Sequence, residues 1–194
     1  MYTTYPNIII GFHGCDKDVA YKILSKEIDF KFSINPYDWL GHGIYFWEFN
    51  HLRALEYAKE LKKRNVREQK IKTPFCIGAV LDLGHCLNLI NSESLKILKS
   101  GYAILEKYHK EIRNPLPENR RPADSTYMDF LLRYLDCAVI ETIHKMNEIN
   151  HIHPYDSVRG MFWEGSELYP NAGFKEKNHI QICIRNPNCI KGVF

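Results

Sequence analysis

The sequence of 194 residues predicts an α+β fold. Residues 7–12 form a β-branched run that is typical of a buried strand, and residues 179–185 alternate apolar and polar side chains as a strand does. Helical stripes lie between them without the regular strand–helix alternation of a doubly wound sheet. No break in composition divides the chain, so we expect one domain over residues 1–194.

Each predicted element rests on a local signal. Asp16 is a candidate N-cap for the helix that follows the first strand, and Asn50 is a candidate N-cap for a second helix. The remaining elements, in chain order, are a short extended segment at 30–33, a strand at 74–83, a helix at 94–112, a Pro- and charge-rich loop at 114–123, and a helix at 127–146. Within the last helix, residues 137–140 also fit a strand.

Charge and cysteine content exclude several classes of protein. The net charge of +3 comes from 26 Lys and Arg against 23 Asp and Glu, which is too small for a dedicated nucleic-acid coat. The six cysteines form no Cys-x-x-Cys pair, and the histidines at 144–153 fit no common ligand spacing, so we expect no metal. No signal peptide and no apolar run near the ~20 residues that span a bilayer are visible, which favours a cytoplasmic protein that binds no membrane.

Two short motifs carry candidate chemistry. His13-Gly14 directly follows the first apolar strand, and residues 39–47 place Gly41 and Gly43 before the aromatic run Tyr45-Phe46-Trp47. Gly41-x-Gly43 lacks the third glycine of a dinucleotide fingerprint and the Gly-Lys-Ser/Thr ending of a phosphate loop. Neither motif alone identifies a nucleotide site.

The order of these motifs is more specific than either one. A strand ending in His13-Gly14, a helix, the run Gly-His-Gly-Ile-Tyr-Phe at 41–46, and a helix at 53–58 resemble the donor half of the poly(ADP-ribose) polymerase-type ADP-ribosyltransferases. Residues 77–89 are similar to the next strand and turn of that family. The resemblance spans residues 7–90, with a weaker match at 179–194, and implies a split β-sheet sandwich with flanking helices that binds NAD as its substrate.

The resemblance also implies roles for individual residues. His13 would bind a ribose hydroxyl of the adenosine half, and the Gly14 backbone would hold the nicotinamide carboxamide. Tyr45, within the motif that includes Gly43 and Phe46, would stack on the nicotinamide ring. Ser33 would bind the nicotinamide amide or its ribose, and Tyr57 would flank the other side of the ring, although it lies about one residue later than the family's second tyrosine.

The sequence departs from the family at the catalytic acid. Positive charge develops on the ribose as nicotinamide leaves, and the family places a glutamate at the start of a late strand to accept a bond from the 2′-hydroxyl. The late strand here begins without an acid, and its alternation predicts a core face with Ile182 and a cleft face with Gln181. We expect the acceptor to be Gln181 or an acid of the preceding loop: Glu164 first, then Glu167 or Glu176. Surface positions for these acids are an equal alternative.

The expected function is therefore mono-ADP-ribosyl transfer from NAD to a protein or nucleic acid, with His13, Tyr45, Gln181 and Glu164 as catalytic candidates. A lone catalytic domain fits a toxin-like effector, which would have an antitoxin or inhibitor protein as a partner. Three alternatives stay open: NAD hydrolysis, binding of NAD or ADP-ribose without catalysis, and RNA 2′-phosphotransfer. The last needs several basic residues, for which His13, His179 and Arg185 are the candidates.

Overall fold

A computed structural model describes residues 8–64, 71–122 and 129–194, and its fold is α+β, as predicted. The strands form one mixed sheet of seven, in the order β4-β5-β6-β2-β1-β3-β7. The elements are β1 Ile8–Asp16, α1 Lys17–Leu24, β2 Ile44–Glu48, α2 His51–Arg64, β3 Pro74–Asp82, β4 Cys86–Asn88, α3 Ser92–Glu111, α4 Tyr134–Ile149, β5 Ser157–Phe162, β6 His179–Ile184, the 3-10 helix Pro187–Cys189, and β7 Ile190–Val193. Among the strands of the described residues, β4 and β5 are the one parallel pair.

The front face of the sheet, which is the face covered by α2, α3 and α4, carries one of the cores. Leu105 of α3 and Ile140 of α4 pack with Val158 of β5 and Cys183 of β6. Helix α2 packs on β1 and β3. Burial of these apolar side chains is the main stabilising contribution on this side of the sheet.

On the back face of the sheet, helix α1 packs on β1 and β3. Phe46 of β2, Leu81 of β3 and Ile182 of β6 form a second core there. A third cluster joins Ile23 of α1 to Ile77 of β3. Successive side chains of a strand point to opposite faces, so Tyr45 and Trp47 lie on the front face and Phe46 lies on the back.

The two N-caps predicted from the sequence are present. The Asp16 side chain accepts a hydrogen bond from the Asp18 N–H at 3.0 Å, and the Asn50 side chain accepts one from the Arg53 N–H at 2.9 Å. Each satisfies a backbone donor that the first helical turn leaves without a partner. The starts of α1 and α2 are thereby fixed next to the ends of β1 and β2.

Two expectations about element boundaries need correction. Strand β1 continues through His13 and Gly14 to Asp16, because β3 pairs with it over that whole length. Helix α4 begins at Tyr134, after the Pro-rich segment, and includes residues 137–140. Residues 7, 123 and 127–128 of the predicted elements lie outside the described residues.

Strand β6 has no open face, which overturns the predicted division into a core face and a cleft face. Ile182 and Cys183 are both fully buried, and Gln181 is 8% exposed. The reason is that each face of β6 packs into a core: Cys183 joins the α3–α4 core on the front, and Ile182 joins Phe46 and Leu81 on the back. No helix within the described ranges is long and apolar enough to cross a membrane.

Gly14 is a position where the fold requires glycine. A Cβ on Gly14 would overlap the backbone carbonyl oxygen of Ala54 in α2. A Gly14→Ala variant must therefore push α2 away from β1, and we expect a loss of about 1–3 kcal/mol in the free energy of unfolding. Chemical denaturation measures this loss, and Gly192→Ala in β7 is the matched control, because no atom lies within 4 Å of its added Cβ. Equal stabilities for the two variants would contradict this account of α2 packing.

Candidate functional site

The ladder between β1 and β2 is short and ends inside the sheet. Its paired residues are Gly11 with Glu48 and Phe12 with Trp47, and the pairing stops before Gly14 reaches Tyr45. The Tyr45 carbonyl instead accepts a hydrogen bond from Nδ1 of His13 at 2.8 Å. We call this place, formed by His13, Gly14 and Tyr45, the β1–β2 junction.

The backbone of Gly14 faces the junction. The Phe49 N–H donates to the Ile10 carbonyl, so the backbone groups of Ile10 point toward β2. The pairing of β1 with β3 has an unbroken register, so β1 is a regular strand from Ile10 to Gly14. In a regular strand the backbone groups of every second residue point to the same side, so the N–H and C=O of Phe12 and Gly14 also point toward β2. Phe12 meets Trp47 there, whereas Gly14 has no ladder partner on β2.

The His13 imidazole enters the junction from the back face. Its ring contacts Phe30 and Phe46, with ring centres 5.4 and 5.8 Å away. Burial lowers the pKa of His13, so the ring is neutral at neutral pH. Because Nδ1 faces a carbonyl, Nδ1 carries the proton and Nε2 keeps its lone pair.

The segment with Ser33 lies beside the junction. Ser33 and Gly43 exchange two backbone hydrogen bonds, of 2.8 and 3.0 Å, just before β2 begins. Phe30, three residues earlier, contacts both His13 and Phe46. The structure therefore brings the predicted residue Phe46 into contact with His13, and it pairs Ser33 with Gly43 next to the start of β2.

Tyr45 projects from the junction on the front face, opposite His13. Its hydroxyl donates to the Gly41 carbonyl at 2.6 Å and accepts from the Leu40 N–H at 2.8 Å. Burial raises the pKa of Tyr45 well above its usual value, so the hydroxyl stays protonated. The hydroxyl thus fixes the turn before β2, and the ring packs against the front-face core.

A second group of side chains lies further along the front face, around the first residue of β6. We call it the His179 cluster: Trp39, Trp47, Arg53, Arg133, Phe162, Glu164 and His179. Three aromatic rings surround the imidazole, with centres 5.8 Å (Phe162), 6.1 Å (Trp39) and 6.3 Å (Trp47) away. Tyr57 of α2 extends this aromatic surface, since its ring centre is 4.9 Å from that of Trp47.

Glu164, the acid predicted from the sequence, lies inside this cluster and is paired with a cation. Its carboxylate accepts two bonds from Nη2 of Arg53, at 3.0 and 3.3 Å, and lies 3.9 Å from the Lys177 ammonium. The same carboxylate is 4.0 Å from Nδ1 of His179. The prediction that an acid from the preceding loop reaches the start of β6 therefore agrees with the geometry, although Arg53 neutralises its charge.

Gln181 lies on the same face as His179, two residues further along β6 toward the junction. It pairs with Trp47 of β2. Its side chain is 92% buried and has no hydrogen-bond partner among the described residues. Glu167 and Glu176, the other acids considered, bind backbone N–H groups of their own loop. These two acids have the surface role that was the alternative.

Arg185, a basic candidate from the sequence, and the nearby strand residue Arg159 are both paired structurally. Arg159 binds Glu48 with an Nη2–Oε1 distance of 2.7 Å, and Arg185 binds Glu141 with an Nη1–Oε1 distance of 2.6 Å. No group of three or more potential metal ligands occurs in the described part of the chain. The arginines near β6 that sequence reasoning missed are Arg53 and Arg133, whose neighbours come from distant segments.

Comparison with known proteins adds little to this geometry. No family model matches the chain, and no solved structure matches it. The chain is 25% identical over 200 residues to an uncharacterized protein of Methanocaldococcus jannaschii, and the alignment covers 93% of this chain and 83% of that protein.

The buried Arg53–Glu164 pair gives a testable consequence for stability. Removing Arg53 leaves Glu164 buried beside only a weaker partner, so Arg53→Ala and Glu164→Ala should each cost about 3 kcal/mol or more. The double variant should cost less than the sum, with a coupling of roughly 1 kcal/mol or more. Denaturation of the four proteins measures the coupling.

The control for this cycle is the exposed pair Glu93 and Lys96 of α3, whose side chains are 62% and 73% exposed. Its coupling should stay below about 0.5 kcal/mol, because water screens the charges. Additive losses at Arg53 and Glu164 would show that the two side chains do not act as a pair.

Proposed function

We propose that this protein transfers ADP-ribose from NAD to a macromolecule and holds nicotinamide at the β1–β2 junction. The observation that carries the proposal is the ladder position of Gly14, whose N–H and C=O face β2 without a ladder partner there. A carboxamide offers one acceptor and two donors, which match a backbone C=O and N–H. The early end of the β1–β2 ladder also supports the split sandwich of the ADP-ribosyltransferases as the finer fold.

The front face beside the junction suits a flat, cationic ring. The Tyr45 ring projects there, and Trp47 and Tyr57 stand on the same face. Aromatic rings stack on a flat heterocycle with a gain of about 0.5–1.5 kcal/mol for each pair. Backbone bonds at Gly14 and stacking at these rings together orient the glycosidic bond toward β6.

We assign His13 the role of keeping the junction open. Its imidazole occupies the Tyr45 carbonyl that would otherwise pair with Gly14. The role that the resemblance implies, a bond to the adenosine ribose, requires that ribose to reach Nε2 beside Phe30 on the back face. The first role depends only on the observed bond, which Nδ1–H makes in either protonation state of the ring.

The reaction breaks the bond between C1′ of the ribose and the nicotinamide nitrogen, and the electron pair leaves with neutral nicotinamide. The ribose carbon becomes positively charged and forms a new bond to an oxygen or nitrogen of the acceptor, which loses its proton to solvent. Gln181 offers an amide oxygen on this face, and Glu164 adds a carboxylate further along. The proposal also includes a protein or nucleic acid as the acceptor, a toxin-like action, and an antitoxin or inhibitor protein as a partner.

A second candidate is a protein that binds NAD or ADP-ribose without breaking it. Gln181 has no charge, and the Glu164 carboxylate is already paired with Arg53. A site without a free carboxylate stabilises a ribosyl cation less well. Binding without release of nicotinamide is the result that would favour this candidate.

Incubation with labelled NAD and a cell lysate tests the proposal. We expect nicotinamide release by the wild type, with label on protein, RNA or DNA; label only on free ADP-ribose would assign water as the acceptor. His13→Phe removes the donor to the Tyr45 carbonyl, and nicotinamide release should fall at least tenfold, which corresponds to about 1.4 kcal/mol.

The matched control is His109→Phe at the end of α3. His109 also binds a backbone carbonyl through Nδ1, at 3.0 Å, but it is exposed and far along the chain from the junction. This variant should keep the wild-type rate. No release of nicotinamide by the wild type with any acceptor would contradict the proposal of transfer.

A further inference from the structure

The backbone of the turn before β2 is held from outside by two charged side chains. The His42 N–H donates to Oε1 of Glu141 in α4 at 2.8 Å, and the His42 carbonyl accepts from Nη1 of Arg185, just after β6, at 2.9 Å. These partners lie 99 and 143 residues further along the chain, so only the folded structure brings them to the turn. We call Glu141 and Arg185 the His42 clamp.

The two side chains of the His42 clamp also bind each other. Nη1 of Arg185 donates to Oε1 of Glu141 at 2.6 Å, and Nη2 donates to Oε2 at 3.3 Å. Burial raises the pKa of Glu141, but hydrogen bonds from the Arg185 guanidinium and the His42 N–H outweigh it and hold the pKa below its usual value. The carboxylate is therefore charged at neutral pH, and each side chain orients the other against the His42 peptide.

The glycines on both sides of His42 give these neighbours access to the turn. Gly41 has a φ of +74°, and a Cβ there would overlap the Glu141 carboxylate. A Cβ on Gly43 would overlap Sγ of Cys183 in β6. The Gly41-x-Gly43 motif, which fits no common nucleotide fingerprint, thus lets α4 and β6 approach the backbone of the turn.

The clamped turn connects to the β1–β2 junction on two sides. The Tyr45 hydroxyl donates to the Gly41 carbonyl at 2.6 Å, and the Tyr45 carbonyl accepts the bond from His13. Gly43 exchanges two backbone hydrogen bonds with Ser33. The position of the turn therefore sets the positions of Tyr45 and Ser33.

We propose that Glu141 and Arg185 are positioning residues for nicotinamide binding at the β1–β2 junction. They hold the His42 peptide, and through it the turn from which Tyr45 and the Ser33 pairing extend. This inference rests on the proposed function. The His42 clamp acts without touching the ligand, because a site that is ordered before the ligand arrives loses less binding free energy to ordering.

Steady-state kinetics of nicotinamide release from NAD separate positioning from stability. Glu141→Ala and Arg185→Ala should each raise KM at least fivefold and change kcat less than twofold, because they weaken contacts that form when NAD binds. Loss of folded protein alone lowers the apparent kcat and leaves KM unchanged. The double variant should raise KM little more than either single variant, since both side chains hold one peptide.

Two further variants serve as comparisons. Asp82→Ala is the matched control, because Asp82 also accepts a backbone N–H, from Gly84 at 3.1 Å, and pairs with a cation, Lys191 at 3.6 Å. It lies opposite Ile8, which is about 20 Å from Gly14 at the rise of a β-strand, and its KM should equal that of the wild type. Glu141→Gln keeps an oxygen for the His42 N–H and loses the charge, so its KM should lie between those of the wild type and Glu141→Ala.

Hydrogen exchange of protein labelled with ¹⁵N-glycine tests the His42 clamp without any ligand. The Gly43 N–H donates to the Ser33 carbonyl at 3.0 Å, and a looser turn should speed its exchange at least tenfold in Glu141→Ala. The Gly78 N–H, which donates to the Phe194 carbonyl at 3.0 Å, is the internal control and should keep its wild-type rate.

An unchanged KM in both alanine variants would overturn the positioning role and leave Glu141 and Arg185 as a structural ion pair. Equal acceleration of exchange at Gly43 and Gly78 would also contradict it, because that result indicates a general loss of stability. A wild type that releases no nicotinamide removes the proposed function together with this role in NAD binding. A wild type that works, with variants of unchanged KM, removes this inference alone.

Discussion

The hydrogen bond from Nδ1 of His13 to the Tyr45 carbonyl is the interaction on which the site depends. This bond occupies the Tyr45 carbonyl, which would otherwise accept the Gly14 N–H as the next pair of the β1–β2 ladder. The ladder therefore ends at Phe12 and Trp47. The backbone of Gly14 is left facing β2 without a ladder partner there. The contact of Gly14 with the Ala54 carbonyl then fixes α2 directly over this opening, with its own residues beside the front face.

On the front face, side chains of β2 and α2 lie between the junction and the start of β6. Trp47 of β2 contacts Tyr57 of α2 on one side and His179 on the other. Arg53, next to Ala54, reaches Glu164 in the loop before β6. The nicotinamide position that we propose at Gly14 and the His179 cluster therefore share this face of the sheet.

Much of the frame was predictable from sequence, because local signals determine it. The caps at Asp16 and Asn50 and the strands at 74–82 and 179–184 follow from residue type and periodicity. The burial of both faces of β6 was not predictable, since the side chains that pack on each face come from distant parts of the chain. His179 was visible only as a basic residue at the strand start, and the enclosure of its imidazole depends on Trp39, Trp47 and Phe162 meeting in space.

The most direct test of the account is an NMR titration of protein labelled with ¹⁵N-glycine, followed with NAD and with nicotinamide. The Gly14 amide should shift and become protected from solvent exchange with either ligand, because the carboxamide accepts its hydrogen bond. The Gly192 amide in β7 should not change. Ligand binding that shifts other glycine amides and leaves Gly14 unchanged would contradict the central claim that the β1–β2 junction holds nicotinamide.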